Sequence, residues 1–194
     1  MPNQRIQLTR ARFAFARLIV SIAFTMGVCA AEYTVHVVDP PITNHLILRE
    51  GPLPPVCEKA SVLELRACPG EYEPGSFVVT TGKRLDAVRI ESAALTGDGG
   101  TLPGDAVDIR LVKAVYRGTL YEGYSALVPT LLVHDDDFLA VEPAPTEKDP
   151  KRMTNVLRGQ RRDSRFLKPV TIERRRQFWV TVHVPEDARP GRYE

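Results

Sequence analysis

The run FWVTVHV, residues 178–184, constrains the fold of this chain most. Phe178, Val180, Val182 and Val184 alternate with Trp179, Thr181 and His183. Side chains of an extended strand point to opposite faces in turn, so the first set makes an apolar face. The second set meets solvent or a cover. A helix would scatter the same residues around its circumference. The apolar face needs partner strands beside it and a second layer above it.

Other segments supply them. SVLELRA puts Leu63, Leu65 and Ala67 on one face and Val62, Glu64 and Arg66 on the other. AVDIRLVKAVYRG turns Val107, Ile109 and Leu111 inward and Asp108 and Arg110 outward. EYTVHVV, NHLILRE, GSFVVTTG and LDAVRIESAAL (with Val88 and Ile90 on one face) are further strand candidates, as is PTLLVHDDD, which runs into an acidic turn. Turn formers separate them: Asp98-Gly99-Gly100, Pro103-Gly104, CPGEYEP and ARPG. The 16 prolines and 13 glycines are spread along the chain and disfavour long helices. Short strands between turn signals predict an all-β, antiparallel sandwich, immunoglobulin-like or jelly-roll-like.

The first 31 residues read differently. Arg5, Arg10, Arg12 and Arg17 precede an apolar run over residues 18–28, followed by Cys29, Ala30 and Ala31. A basic start, a short apolar stretch and small residues form an export signal peptide, expected here as a helix over 1–31. The run is about eleven residues, against ~20 for a membrane-spanning helix. The β-sandwich domain is expected over 32–194, in an exported protein that does not span a membrane. Without residues 1–30, 22 basic residues face 24 acidic ones, a formal charge of −2. The basic pI of the whole chain therefore gives no case for nucleic-acid binding.

Cys57 and Cys68 remain in the domain, with ten residues between them. An oxidising compartment permits a disulfide between them, worth ~2–3 kcal/mol for such a loop. Two free, partly buried thiols are the alternative. The cysteine and histidine spacing carries no metal motif, and no cofactor is expected.

Residues 148–176 hold eleven basic and three acidic residues, a local charge of +8. The sequence predicts a long charged loop over about 142–176. An acidic partner is the sharper alternative. No motif of hydrolytic or phosphate-binding enzymes occurs. His36, His45, His134 and His183 stand apart and read as strand or surface residues. His134 to Asp137 form the acidic cluster HDDD, read as a solvated turn; Glu71 and Glu73 flank Tyr72, and one of them is expected to accept backbone N–H bonds at a loop.

Three stretches in order resemble a known family: residues 67–79, 88–117 and 177–194. Glu71, Glu73 and Pro74 match an acidic turn before an apolar strand. Val88 and Ile90, then residues 107–116, match the following strands. Trp179, Val184, Pro185, Ala188, Pro190, Gly191 and Tyr193 match the closing segment. Together they resemble the N-terminal β-sandwich domain of glycoside hydrolase family 123 and its bacterial relatives. The resemblance implies a last sandwich strand and a catalytic barrel beyond Glu194, with the sugar-cleaving acids in that barrel. On that basis the expected role is a non-catalytic module that packs against a catalytic domain. A free-standing carbohydrate-binding protein is the alternative. Trp179, Tyr116, Tyr121 and Tyr124 are the candidate contacts to sugar or domain.

Overall fold

A computed structural model describes residues 14–19, 33–43, 45–60, 62–118, 125–147, 150–158 and 163–194. The first strands are β1 (Ala14–Ile19), β2 (Tyr33–Val38), β3 (Cys57–Lys59), β4 (Val62–Ala67) and β5 (Tyr72–Thr81). Next come β6 (Leu85–Val88), β7 (Leu95–Gly97), β8 (Gly100–Leu102), β9 (Val107–Gly118) and β10 (Ser125–Val133). The last are β11 (Leu139–Pro143), β12 (Met153–Leu157), β13 (Val170–Ile172), β14 (Arg175–His183) and β15 (Arg192–Tyr193). Only two short 3-10 turns, Gly104–Ala106 and Asp136–Phe138, interrupt the β-structure among the described residues.

The larger sheet has the order β10-β9-β14-β5-β2-β3, and the second has the order β4-β1-β15-β7-β8. Two hairpin-sized pairs, β11-β12 and β13-β6, flank them. Every pairing is antiparallel except β1 with β15. The fold is thus all-β and antiparallel, as the alternation predicts.

The core lies between the two large sheets. Phe77, Leu111, Phe178, Val180 and Val182 face it from one side, and Leu63, Leu65 and Ala67 from the other. The rings of Phe77 and Phe178 pack with centroids 5.2 Å apart. The facing sheets approach closely at Gly75: a Cβ there would lie 2.6 Å from Leu63 Cδ2. Pro74, next to it, sits in a central strand without losing a ladder bond. The pairing of β2 with β5 stops at Phe77, so β5 is an edge at Pro74 on that side.

Two expectations change. NHLILRE is not a strand: residues 45–48 are irregular and lie over the larger sheet, where Ile47 joins Val38 and Val78 in a second small core. Arg175 holds this segment instead of a ladder, donating to Leu48 O (3.0 Å) and Gly51 O (2.9 Å). The stretch 142–176 carries β12, β13 and the start of β14 rather than one long loop. Cys57 and Cys68 stand as free thiols, one of the two alternatives open for the pair. Burial raises the Cys57 thiol above its ordinary value, with the charge of Arg175 opposing.

The export-signal expectation lies outside the described residues except at Ala14–Ile19. The backbone there is extended and pairs with β4 over six positions. No helix among the described residues is long and apolar enough to cross a membrane.

Candidate functional site

The outer face of the larger sheet is the candidate site. Alternation puts Trp179, Thr181 and His183 of β14 there, beside Tyr72, Pro74 and Ser76 of β5 and Asp108 and Arg110 of β9. Register fixes the rows. Trp179 stands between Ser76 and Arg110, Thr181 between Pro74 and Asp108, and His183 beside Tyr72. Trp179 is half-buried on this face. The Tyr72 ring is 67% exposed and stacks on His183 at 4.3 Å and 16°.

The end of β10 closes one side of the face. His134 is buried, with Nε2 2.6 Å from Asp108 Oδ1 and Nδ1 2.7 Å from Ser164 O. A carbonyl only accepts, so Nδ1 carries a hydrogen and donates it to Ser164. Burial would raise the Asp108 carboxyl, but hydrogen bonds from His134 and Arg110 outweigh it and hold it below the ordinary aspartate value. The carboxylate is therefore ionised. Arg110 Nε reaches the other oxygen at 2.6 Å. Asp163, from the basic segment, accepts from the backbone N–H groups of His134 (2.8 Å), Asp135 (3.1 Å) and Ser164 (2.8 Å).

The next two aspartates are equally committed. Asp135 accepts from Asp137 N (3.0 Å) and from Lys168 Nζ (2.6 Å). Asp136 binds Lys113 Nζ at 2.5 Å through Oδ1 and Arg176 Nη2 at 2.7 Å through Oδ2. Lys113 also donates to the Asp136 carbonyl. Burial would raise Asp136, but the Lys113 hydrogen bond and the charges of Arg176, Lys113 and Arg49 prevail and lower it. Asp135 is also lowered: Lys168 and the Asp137 N–H overcome a burial effect. HDDD is thus not a solvated turn. It is an ion-paired corner whose cations come from β9 and from the basic stretch. Among the described residues no group of three or more His, Cys, Asp or Glu side chains could hold a metal ion.

Of the predicted contact residues, Trp179 and Tyr116 are not brought together. Trp179 lies opposite Arg110, and Tyr116 is six residues further along β9, roughly 20 Å away at strand spacing. The backbone N–H and C=O of Tyr116 are both held by the Asn155 side chain, at 2.8 and 2.9 Å. Tyr121 and Tyr124 lie outside the described residues. Glu71 accepts from the Cys68 N–H at 2.8 Å, the loop role expected for one of the pair; Glu73 lies on β5 opposite Val182. Tyr193 is buried and donates to Arg189 O at 2.7 Å. Its hydroxyl lies 2.1 Å from where a Cβ on Gly99 would stand, and Gly191 packs on the same glycine. The Pro190-Gly191 turn is therefore a structural clasp on the β7–β8 hairpin. Tyr72 was not among the predicted contacts; its alternation with Pro74 and Ser76 was the available signal.

No family model matches the chain, and no curated protein matches it. A solved structure described as a family 123 glycoside hydrolase from Clostridium perfringens, analysed for glycolipid glycan hydrolysis, is similar at a TM-score of 0.38 and 13% identity. The likeness covers 66% of this chain and 18% of that one, so the chain spans under a fifth of that protein's length. At that level it carries no conclusion about family or activity.

Proposed function

We propose that this chain is a non-catalytic β-sandwich module of an exported glycoside-hydrolase-like protein, whose outer sheet face packs against a neighbouring catalytic domain. The ordered sequence motifs supply the family part of this reading. The observation that carries the binding part is the regular face around Trp179. It presents Trp179, Thr181 and the Tyr72–His183 stack on adjacent central strands. The commitment of the acids supports a role without catalysis. A glycosidase needs one carboxyl kept protonated near neutral pH, whereas Asp108, Asp135 and Asp136 are held ionised by cations and N–H donors.

One observation favours a second reading, a carbohydrate-binding module: the exposed Tyr72 ring is a flat surface of the kind that stacks on a sugar. Trp179 is the sole tryptophan, so its fluorescence separates the two. Domain packing predicts that soluble oligosaccharides leave Trp179 emission and acrylamide quenching unchanged. A saturable sugar-dependent change, lost in Tyr72→Ala, selects the second reading. Aryl-glycoside hydrolysis lost in Asp108→Asn overturns both.

A further inference from the structure

A cavity of about 400 Å³ lies at the other end of the same outer face, under residues 47–49 and the β11–β12 hairpin. Its walls are apolar side chains, among them Val112 and Ala114 of β9, Pro129, Val141 and Met153. Among the described residues its polar lining is Arg49, Lys113, Arg175, Arg176 and Gln177, with no carboxylate; Arg175 and Gln177 stand on the outer face of β14, while Lys113 and Arg176 fall in step with the core-facing Leu111 and Phe178. Lys113 and Arg176 share the single carboxylate of Asp136. Arg49 acts on Asp136 only through its charge, and neither Arg49 nor Arg175 makes a salt bridge with a described residue. Both terminal nitrogens of Arg175 serve backbone carbonyls, while its buried Nε–H has no acceptor.

We infer that this cavity binds a small amphipathic carboxylate, its apolar tail against Val112, Ala114 and Met153 and its head group between Arg49 and Arg175. Two features converge on that class. The volume falls in the range of small-molecule sites. The excess positive charge selects an anion over a neutral or cationic molecule of the same shape. The site lacks aromatic walls, which distinguishes it from the Tyr72 and Trp179 region. The inference goes beyond the proposed function and stands without it.

Calorimetric titration of the full chain with decanoate, decanol and decyltrimethylammonium, each below its micelle concentration, tests this. Decanoate is expected to bind saturably at one site, decanol at least about tenfold more weakly, and the cation not at all. Arg49→Gln is expected to weaken decanoate about tenfold and leave decanol unchanged. Ala114→Trp, which fills the cavity, is expected to abolish both. A melting curve confirms that each variant is folded. Equal binding of anion and cation overturns the inference. So does decanoate binding untouched by both variants, or no binding to the folded wild-type chain.

Discussion

Asp136 ties two strands to the turn after β10 through two atoms of its side chain. Lys113 comes from β9, Arg176 from β14, and Asp136 itself from the turn after β10. Removing one cation leaves a largely buried carboxylate short of a partner, and such losses cost several kcal/mol. Lys113→Met is therefore expected to destabilise the chain by about 3 kcal/mol, read by urea unfolding. The pH dependence follows from the lowered carboxyl. Its stabilising contribution is complete above the ordinary aspartate value, roughly pH 4, and is lost as pH falls through the lowered folded value. Asp136→Asn should flatten acid unfolding in that interval. His36 acts in the same direction at milder pH. Burial, then the charges of Arg175 and Lys59, lower it, so stability falls as pH drops below about 6.5. His36→Gln should remove that slope.

Among the elements, β14 was the most legible in the sequence. Its alternation between Phe178 and Trp179 reports a strand covered fully on one face and partly on the other, and that is its position. β4 and β9 were readable for the same reason. NHLILRE was not, because its apolar residues answer to the second small core while its backbone is held by Arg175 rather than a neighbouring strand. HDDD misled through locality. Its partners Lys113, Lys168 and Arg176 are 23 to 40 residues away in the chain, and adjacent carboxylates without visible cations read as solvated. The charge of the 148–176 stretch was the available clue, since part of it neutralises that corner. Two predictions belong here. Gly75→Val should cost about 1–3 kcal/mol, because its side chain enters the space of Leu63. Asn155→Ala should release the β11–β12 hairpin from β9, seen as faster hydrogen exchange at the Tyr116 amide than in the parent chain.

At the scale of the molecule, two sheets enclose one core and leave an outer face with the Tyr72–His183 stack at one end and a cavity at the other. β1 belongs to the stretch read as an export leader, yet pairs with β4 and runs beside β15. Removing residues 1–31 is thus expected to keep the six-stranded sheet, while the β4 amides exchange faster than in the full chain. The clustered acids Asp108, Asp135 and Asp136 hold the fold through ion pairs and hydrogen bonds. Carboxyl-carbon NMR through an acid titration tests this most directly. Asp108, Asp135 and Asp136 are all expected to titrate below the ordinary aspartate value. Any one of them staying protonated to near pH 6, as the proton donor of a glycosidase does, would contradict it.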